Sequence, residues 1–96
     1  MESKGVIYTS MFNKLSTLSP TNLQIINESH LHAHHQAMQG VSSKETHFRI
    51  EIVSKDFEGK SLIQRHRLIY QLLDDELKNG VHALSIKAKT PEEIGE

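Results

Sequence analysis

A strict alternation of apolar and polar residues from residue 47 to residue 53 constrains the fold most tightly. Every second residue of HFRIEIV is apolar, namely Phe48, Ile50 and Ile52, and the residues between them are charged. This period of two is typical of a strand that is buried on one face. Such a strand needs a sheet with one face packed against apolar residues and the other in water. The sequence therefore predicts a sheet covered on one side.

Two amphipathic helices are predicted to supply that cover. The first begins after an N-cap at Ser10 and ends near Pro20. Its apolar face consists of Met11, Phe12, Leu15 and Leu18. The second ends at Asn79-Gly80, with a break near Ser61, and its apolar stripe consists of Leu62, His66, Ile69, Leu73 and Leu77. These spacings of three and four residues indicate helices docked on a sheet.

Two further strands complete the predicted sheet, over residues 23–29 and 82–88, and a short helix begins near Thr90. A connection from strand to helix to strand is expected to be right-handed, which makes the second and third strands parallel and places the helices on one face. The predicted fold class is α+β, a three-stranded mixed sheet covered by helices on one face. The element order is αββααβ, followed by the short helix.

Length and composition limit the chain to one small domain. Of its 96 residues, 1–8 carry no clear period and are expected to be flexible, and 9–96 form the domain. The formal net charge of -1 gives no overall attraction to nucleic acid or anionic lipid. No apolar run approaches the roughly 20 residues of a membrane span, and no secretory leader is visible. We expect no membrane association and a location in the mitochondrial matrix or cytoplasm.

A long segment between the first two strands, residues 29–45, is rich in histidine. His30, His32, His34 and His35 lie within six residues, a density typical of metal ligands. About 17 residues is far more than an ordinary hairpin loop needs, and long loops are commonly functional or disordered. The chain has no cysteine, so any thiolate ligand must come from another molecule.

Several separated motifs in this order resemble the BolA family over about residues 11–93. They are Asn27-Glu28-Ser29 followed by His32, Thr46-His47-Phe48, Phe57-x-Gly59, Arg65-His66-Arg67-Leu68-Ile69-Tyr70, Glu76-Leu77 and Val81-His82-Ala83-Leu84. The resemblance implies a fold like a class II KH domain. It also implies a non-enzymatic adaptor for iron–sulfur cluster assembly, which pairs with a monothiol glutaredoxin and passes a bridged 2Fe-2S cluster to client proteins.

The resemblance also implies which residues hold the cluster. The histidine of the last strand falls on His82 and the loop ligand on His32, with His34, His35 and His30 as substitutes in the same loop. Glutaredoxin and glutathione would supply the sulfur ligands, so the chain alone would bind no cluster. Two imidazoles can replace two thiolates on a 2Fe-2S cluster, as they do in Rieske centres.

Each of these residues also has a structural interpretation. His82 could cap the edge of the core, and the loop histidines could be solvated or hold zinc or nickel adventitiously. His66 is expected to be a buried, hydrogen-bonded residue, and His47 a structural or supporting residue near the end of the loop.

The basic residues Lys60, Arg65 and Arg67 near the start of the second helix are candidates for contact with a partner or with phosphate. A transcriptional regulator that binds DNA is therefore the alternative function. The G-x-x-G loop of nucleic-acid-binding KH domains is absent from the sequence after Phe57. No cysteine nucleophile, Gly-rich phosphate loop or H-E-x-x-H pair is present, so no enzymatic activity is expected.

Overall fold

A computed structural model describes residues 5–29 and 46–96 of the chain. The helices and strands of this part are α1 Val6–Ser16, β1 Asn22–Asn27, β2 His47–Val53, α2 Leu62–Leu72, α3 Asp74–Lys78 and β3 Ala83–Lys89. Single turns of 3-10 helix follow β2, at Lys55–Phe57, and β3, at Glu92–Ile94. No helix in these two ranges is long and apolar enough to cross a membrane.

Strand β2 is the centre of a three-stranded sheet with the order β1-β2-β3. It pairs antiparallel with β1 and parallel with β3, in a register that places Ile50 between Ile25 and Ile86. The predicted mixed sheet, with its second and third strands parallel, is therefore confirmed. The predicted bounds of β2 are also correct, whereas β1 and β3 each begin one residue away from the predicted position.

The helices cover one face of the sheet, as predicted. Phe48, Ile50 and Ile52 of β2 are buried on that face. The residues that complete the core are Met11, Leu15, Ile25, Phe57, Ile69, Leu73, Val81 and Ala88. On the other face Arg49 forms an ion pair with Glu28, with Nε 3.1 Å from Oε2. This polar face explains the alternation that runs along β2.

Helix α1 begins earlier than the sequence predicts. Its N-cap is Gly5, and residues 6–8, predicted as part of a flexible terminus, are helical. The prediction of Ser10 as the N-cap is therefore wrong. Phe12 was predicted on the buried face, but it is 42% exposed, and its ring stacks on Tyr8 at 6.4 Å between centroids. The residues of this helix that enter the core are Met11 and Leu15.

Helix α2 buries a face that differs in part from the predicted stripe. Ser61 caps its N-terminus in a capping box with Gln64, and the break in the helix lies at Leu73 rather than near Ser61. Leu62 was predicted in the core but is 61% exposed. His66 is half-buried rather than fully buried. The core side of the helix includes the guanidinium of Arg65, which the apolar stripe did not predict.

A buried carboxylate, Glu76, joins α3 to α1. Lys14 Nζ lies 2.9 Å from Glu76 Oε1, and the Ser10 hydroxyl donates to Oε2. Burial raises the pKa of the Glu76 carboxyl, but the hydrogen bonds from Ser10 and Lys14 outweigh this effect and hold the pKa below its ordinary value. The short helix α3 is thereby fixed against the N-terminal helix.

Candidate functional site

Three polar residues lie together where the parallel strands β2 and β3 begin. They are Thr46, His47 and His82, and we call them the histidine edge. The parallel register pairs His47 with Ala83, so Thr46 lies beside His82. The backbone N–H groups of His82 and Ala83 both donate to the Thr46 carbonyl, at 2.7 and 3.2 Å. The start of β3 is thus held directly against the residue that precedes β2.

The two imidazole rings of the histidine edge are close to each other. Their centroids are 6.2 Å apart, and the ring planes are tilted by 51°. His82 is exposed, whereas His47 is half-buried. His47 Nδ1 lies 2.8 Å from the Thr46 hydroxyl oxygen, within hydrogen-bonding distance. One ring is therefore accessible to a partner, and the other has a protein group beside its Nδ1 atom.

Ser29 connects the end of β1 to the histidine edge. Its hydroxyl oxygen accepts hydrogen bonds from the backbone N–H groups of Thr46, at 2.8 Å, and His47, at 3.1 Å. The Ser29 N–H in turn donates to Asn27 Oδ1 at 2.9 Å. Because Ser29 is 3% exposed, these bonds are shielded from water and form a closed stem. The chain therefore leaves the stem at Ser29 and returns to it at Thr46.

The structure describes one of the five predicted metal ligands. His82 lies at the histidine edge, whereas His30, His32, His34 and His35 lie outside the described residues. The assignment of His32, with its substitutes, therefore stays a prediction. Within residues 5–29 and 46–96, no group of three or more His, Cys, Asp or Glu side chains could hold a metal ion.

The predicted basic residues separate into two kinds. Lys60 and Arg67 are exposed, but Arg65 is 6% exposed and belongs to the core of the fold. Its guanidinium forms a bidentate pair with Glu93, at 2.7 and 3.0 Å, and donates to the carbonyls of Lys60 and Ala88. Arg65 is thus occupied within the chain, and the exposed candidates for phosphate or partner contact are Lys60 and Arg67.

The pair of Arg65 and Glu93 fastens the C-terminal segment to α2. The hydrogen bond from Arg65, together with that from the Thr90 backbone N–H, lowers the pKa of Glu93 from 4.5 to about 2. The same pairing raises the pKa of Arg65. The carboxylate of Glu93 is accordingly charged at neutral pH and serves the fold.

The short distance between His47 and His82 was not predicted from the sequence, where His47 was assigned a structural or supporting role. A signal for it was present, because one histidine begins each of two strands that were predicted to be parallel. Neighbouring parallel strands run in the same direction, so their first residues lie at the same edge of the sheet. The exact register, which no local pattern gives, decides whether the two rings meet.

Comparison with known proteins places these features in a family. A family profile described as BolA-like protein matches residues 15–93. SufE-like protein 1, chloroplastic/mitochondrial, from Arabidopsis thaliana is 56% identical over 79 residues, which are 80% of this chain and 21% of that protein. Protein BOLA1, chloroplastic, from the same plant is 54% identical over 76 residues, which are 79% of this chain and 48% of that protein. The chain thus spans about a fifth of the first relative and about half of the second.

Solved structures give the same result at the level of the fold. The structure of BolA1 from Arabidopsis thaliana superposes with a TM-score of 0.80 at 48% sequence identity, and the match covers 97% of each chain. The order of helices and strands and the mixed sheet described above are therefore those of a known fold.

Proposed function

Because this chain belongs to the BolA-like family, we propose that it is an adaptor for the assembly and transfer of iron–sulfur clusters. In this proposal it binds a monothiol glutaredoxin, and the two proteins share a bridged 2Fe-2S cluster that passes to client proteins. His82 and His32 are the ligands from this chain, with His34, His35 and His30 as substitutes. The cluster is cargo, and the chain performs no chemical transformation.

The observation that carries the proposal is the position of His82 beside the stem of the histidine-rich segment. Ser29 and Thr46 flank residues 30–45, and the carbonyl of Thr46 accepts the backbone N–H of His82. The residues that flank the segment are therefore hydrogen-bonded to each other and to His82, whose imidazole is exposed. This arrangement supports a ligand set that combines His82 with a histidine of the segment.

The donor set of the chain fits a shared cluster better than a cluster held by the chain alone. A 2Fe-2S cluster needs four ligands, and imidazoles can supply two of them. The chain has no cysteine, so any thiolate ligand has to come from another molecule. The remaining ligands are then the thiolate of the glutaredoxin and the sulfur of glutathione.

The partner surface in this proposal includes two exposed residues, Lys60 before α2 and Arg67 in the middle of α2, together with β3 and the histidine edge. Arg65 makes no part of it, because its guanidinium is committed to Glu93 and to two backbone carbonyls. The proposed location is the mitochondrial matrix or cytoplasm. One relative whose name includes chloroplastic/mitochondrial and another whose name includes chloroplastic support an organellar setting.

Reconstitution with a monothiol glutaredoxin, glutathione, iron and sulfide tests the proposal. The mixture should form a heterodimer with an absorption and circular dichroism spectrum that differs from that of the glutaredoxin homodimer. His82→Ala should abolish this spectrum because it removes an imidazole ligand. His66→Ala on α2 is the matched control and should leave the spectrum unchanged. A heterodimer spectrum that survives His82→Ala would refute the assignment of this ligand.

A further inference from the structure

One buried hydroxyl, that of Ser29, lies at the base of the hydrogen bonds that hold the exposed histidine of the histidine edge. It accepts the backbone N–H groups of Thr46, at 2.8 Å, and His47, at 3.1 Å. The Thr46 carbonyl in turn accepts the N–H of His82 at 2.7 Å. From these contacts we propose that Ser29 is a positioning residue, which fixes the backbone of His82 through Thr46. The role of His82 as a ligand rests on the proposed function, whereas these hydrogen bonds belong to the free chain.

The backbone bends at Thr46, and the bend needs an acceptor that a regular strand does not supply. Successive N–H groups of a strand point toward opposite edges, so two neighbouring N–H groups meet one oxygen only where the chain leaves the extended conformation. Thr46 lies in such a bend. The regular pairing of β1 with β2 ends with Asn27 opposite Phe48. Beyond this pair, the Ser29 hydroxyl accepts the N–H groups of the two residues that precede Phe48.

The backbone of His82 depends on the Thr46 carbonyl because His82 lies just outside the paired residues of β3. The register of β2 and β3 begins with His47 opposite Ala83. The N–H groups of His82 and Ala83 converge on the Thr46 carbonyl, at 2.7 and 3.2 Å. Any displacement of Thr46 would therefore move the acceptor of both groups.

Burial makes the Ser29 hydroxyl difficult to replace. The residue is 3% exposed, so water has little access to the hydroxyl oxygen. Loss of a buried acceptor is costly, whereas the loss of an exposed one is compensated by water. The Ser29 N–H donates to Asn27 Oδ1 at 2.9 Å, which fixes Ser29 itself to the end of β1. The imidazole of His82, in contrast, is exposed, so a firmly held backbone carries an accessible ring.

Ser54 provides a matched control at the opposite end of β2. It is 0% exposed, and its hydroxyl accepts the Asp56 N–H at 3.0 Å and donates to the Leu18 carbonyl at 2.6 Å. Each of the two serines thus makes two hydrogen bonds to backbone groups through a buried hydroxyl. Ser54 follows β2, whereas Ser29 contacts the residues at its start. Ser54→Ala should therefore destabilise the fold to a similar extent without an effect on His82.

Amide hydrogen exchange, followed by NMR on the free chain, tests the proposal without glutaredoxin or iron. The exchange rates of the His82 and Ala83 amides are measured relative to that of Ile50 at the centre of β2. Ser29→Ala should raise this ratio by at least about 5-fold, which corresponds to the lower end of the cost of removing a buried acceptor. Ser54→Ala should leave the ratio unchanged.

Asn27→Ala is the second variant, because it removes the acceptor of the Ser29 N–H but keeps the hydroxyl. It should raise the same ratio by a smaller factor. The proposal is overturned if folded Ser29→Ala keeps the wild-type ratio, or if Ser54→Ala raises the ratio equally. If Ser29→Ala does not fold, a wild-type ratio in Asn27→Ala has the same consequence.

Reconstitution with a monothiol glutaredoxin, glutathione, iron and sulfide extends the test to the ligand. Because loss of support for a metal ligand weakens a site about 10–100-fold, the heterodimer of Ser29→Ala should lose its cluster to an iron chelator about 10-fold faster than the wild type. Ser54→Ala should match the wild type. A wild-type rate in Ser29→Ala would contradict the positioning role. If the wild type forms no cluster, the proposed function fails, and the exchange rates still decide whether Ser29 positions His82.

Discussion

At the scale of single residues, a buried charged side chain is expected to contribute more to stability than an exposed one. Glu76 is 4% exposed and receives bonds from Ser10 and Lys14. Asp75, its neighbour on α3, has a side chain that is 78% exposed and lies 3.6 Å from the same lysine. Burial strengthens a charged hydrogen bond and makes its loss costly, whereas an exposed ion pair contributes little. Glu76 is therefore expected to stabilise the fold more than Asp75 does, although both carboxylates contact Lys14.

Glu76→Gln should lower the free energy of unfolding by about 1–3 kcal/mol, because Lys14 and Ser10 lose a charged acceptor in a buried position. Asp75→Asn removes the same charge from the preceding position and should change the free energy of unfolding by less than about 0.5 kcal/mol. Urea denaturation at neutral pH measures both. Equal losses in the two variants would contradict the importance of burial.

The pKa of Glu93 predicts the direction in which acid changes the stability of the protein. Its pKa is 4.5 ordinarily and about 2 in the folded chain, so the unfolded state takes up a proton first as the pH falls. The contribution of Glu93 is complete above about pH 4.5 and is lost as the pH falls toward about 2. Glu93→Gln should therefore be less stable than the wild type at neutral pH and lose less stability over this interval.

Thermal unfolding followed by circular dichroism across the same pH interval tests this expectation. Glu92→Gln is the control, since it removes an equal charge from the adjacent exposed position and should follow the wild-type profile. If Glu93→Gln and the wild type lose stability in parallel, the pair with Arg65 is not the cause.

At the scale of elements, the strands were more predictable than the helix faces. The alternation in β2 depends on neighbours one residue away, and its bounds were predicted correctly. The face of α2 depends on partners far along the chain. Arg65 enters the core because Ala88 and Glu93, both distant in sequence, satisfy its guanidinium. Leu62 stays outside although it fits the apolar period. No helical period can reveal such long-range hydrogen bonds.

Two apolar residues of α2 provide a direct measurement of this difference. Ile69 is 0% exposed and Leu62 is 61% exposed. Ile69→Ala should lower the free energy of unfolding by about 2–5 kcal/mol, because it leaves a cavity in the core. Leu62→Ala should change it by less than about 0.5 kcal/mol. Urea midpoints and slopes compare the two, and a large loss for Leu62→Ala would place that side chain in the core after all.

At the scale of the whole molecule, His82 is connected to the rest of the fold through hydrogen bonds at one edge of the sheet. The order of elements, the mixed sheet and the side covered by helices followed from patterns in the sequence. The meeting of His47 with His82 did not, since it depends on the register of two strands that are separated by α2 and α3. A distance of 6.2 Å between two rings arises only when the complete sheet has formed.

The hydrogen bonds of Ser29 make the register of β1 and β2 independent of the number of residues between positions 30 and 45. A slip of one residue in that alignment would turn Ile25 away from the core and toward water. The bonds from Thr46 and His47 to the Ser29 hydroxyl fix the alignment at the base of the segment. Closing a longer connection costs only about 0.6 kcal/mol for each doubling of its length. Insertions and deletions within the segment can therefore change the number and spacing of its histidines while the sheet keeps its register.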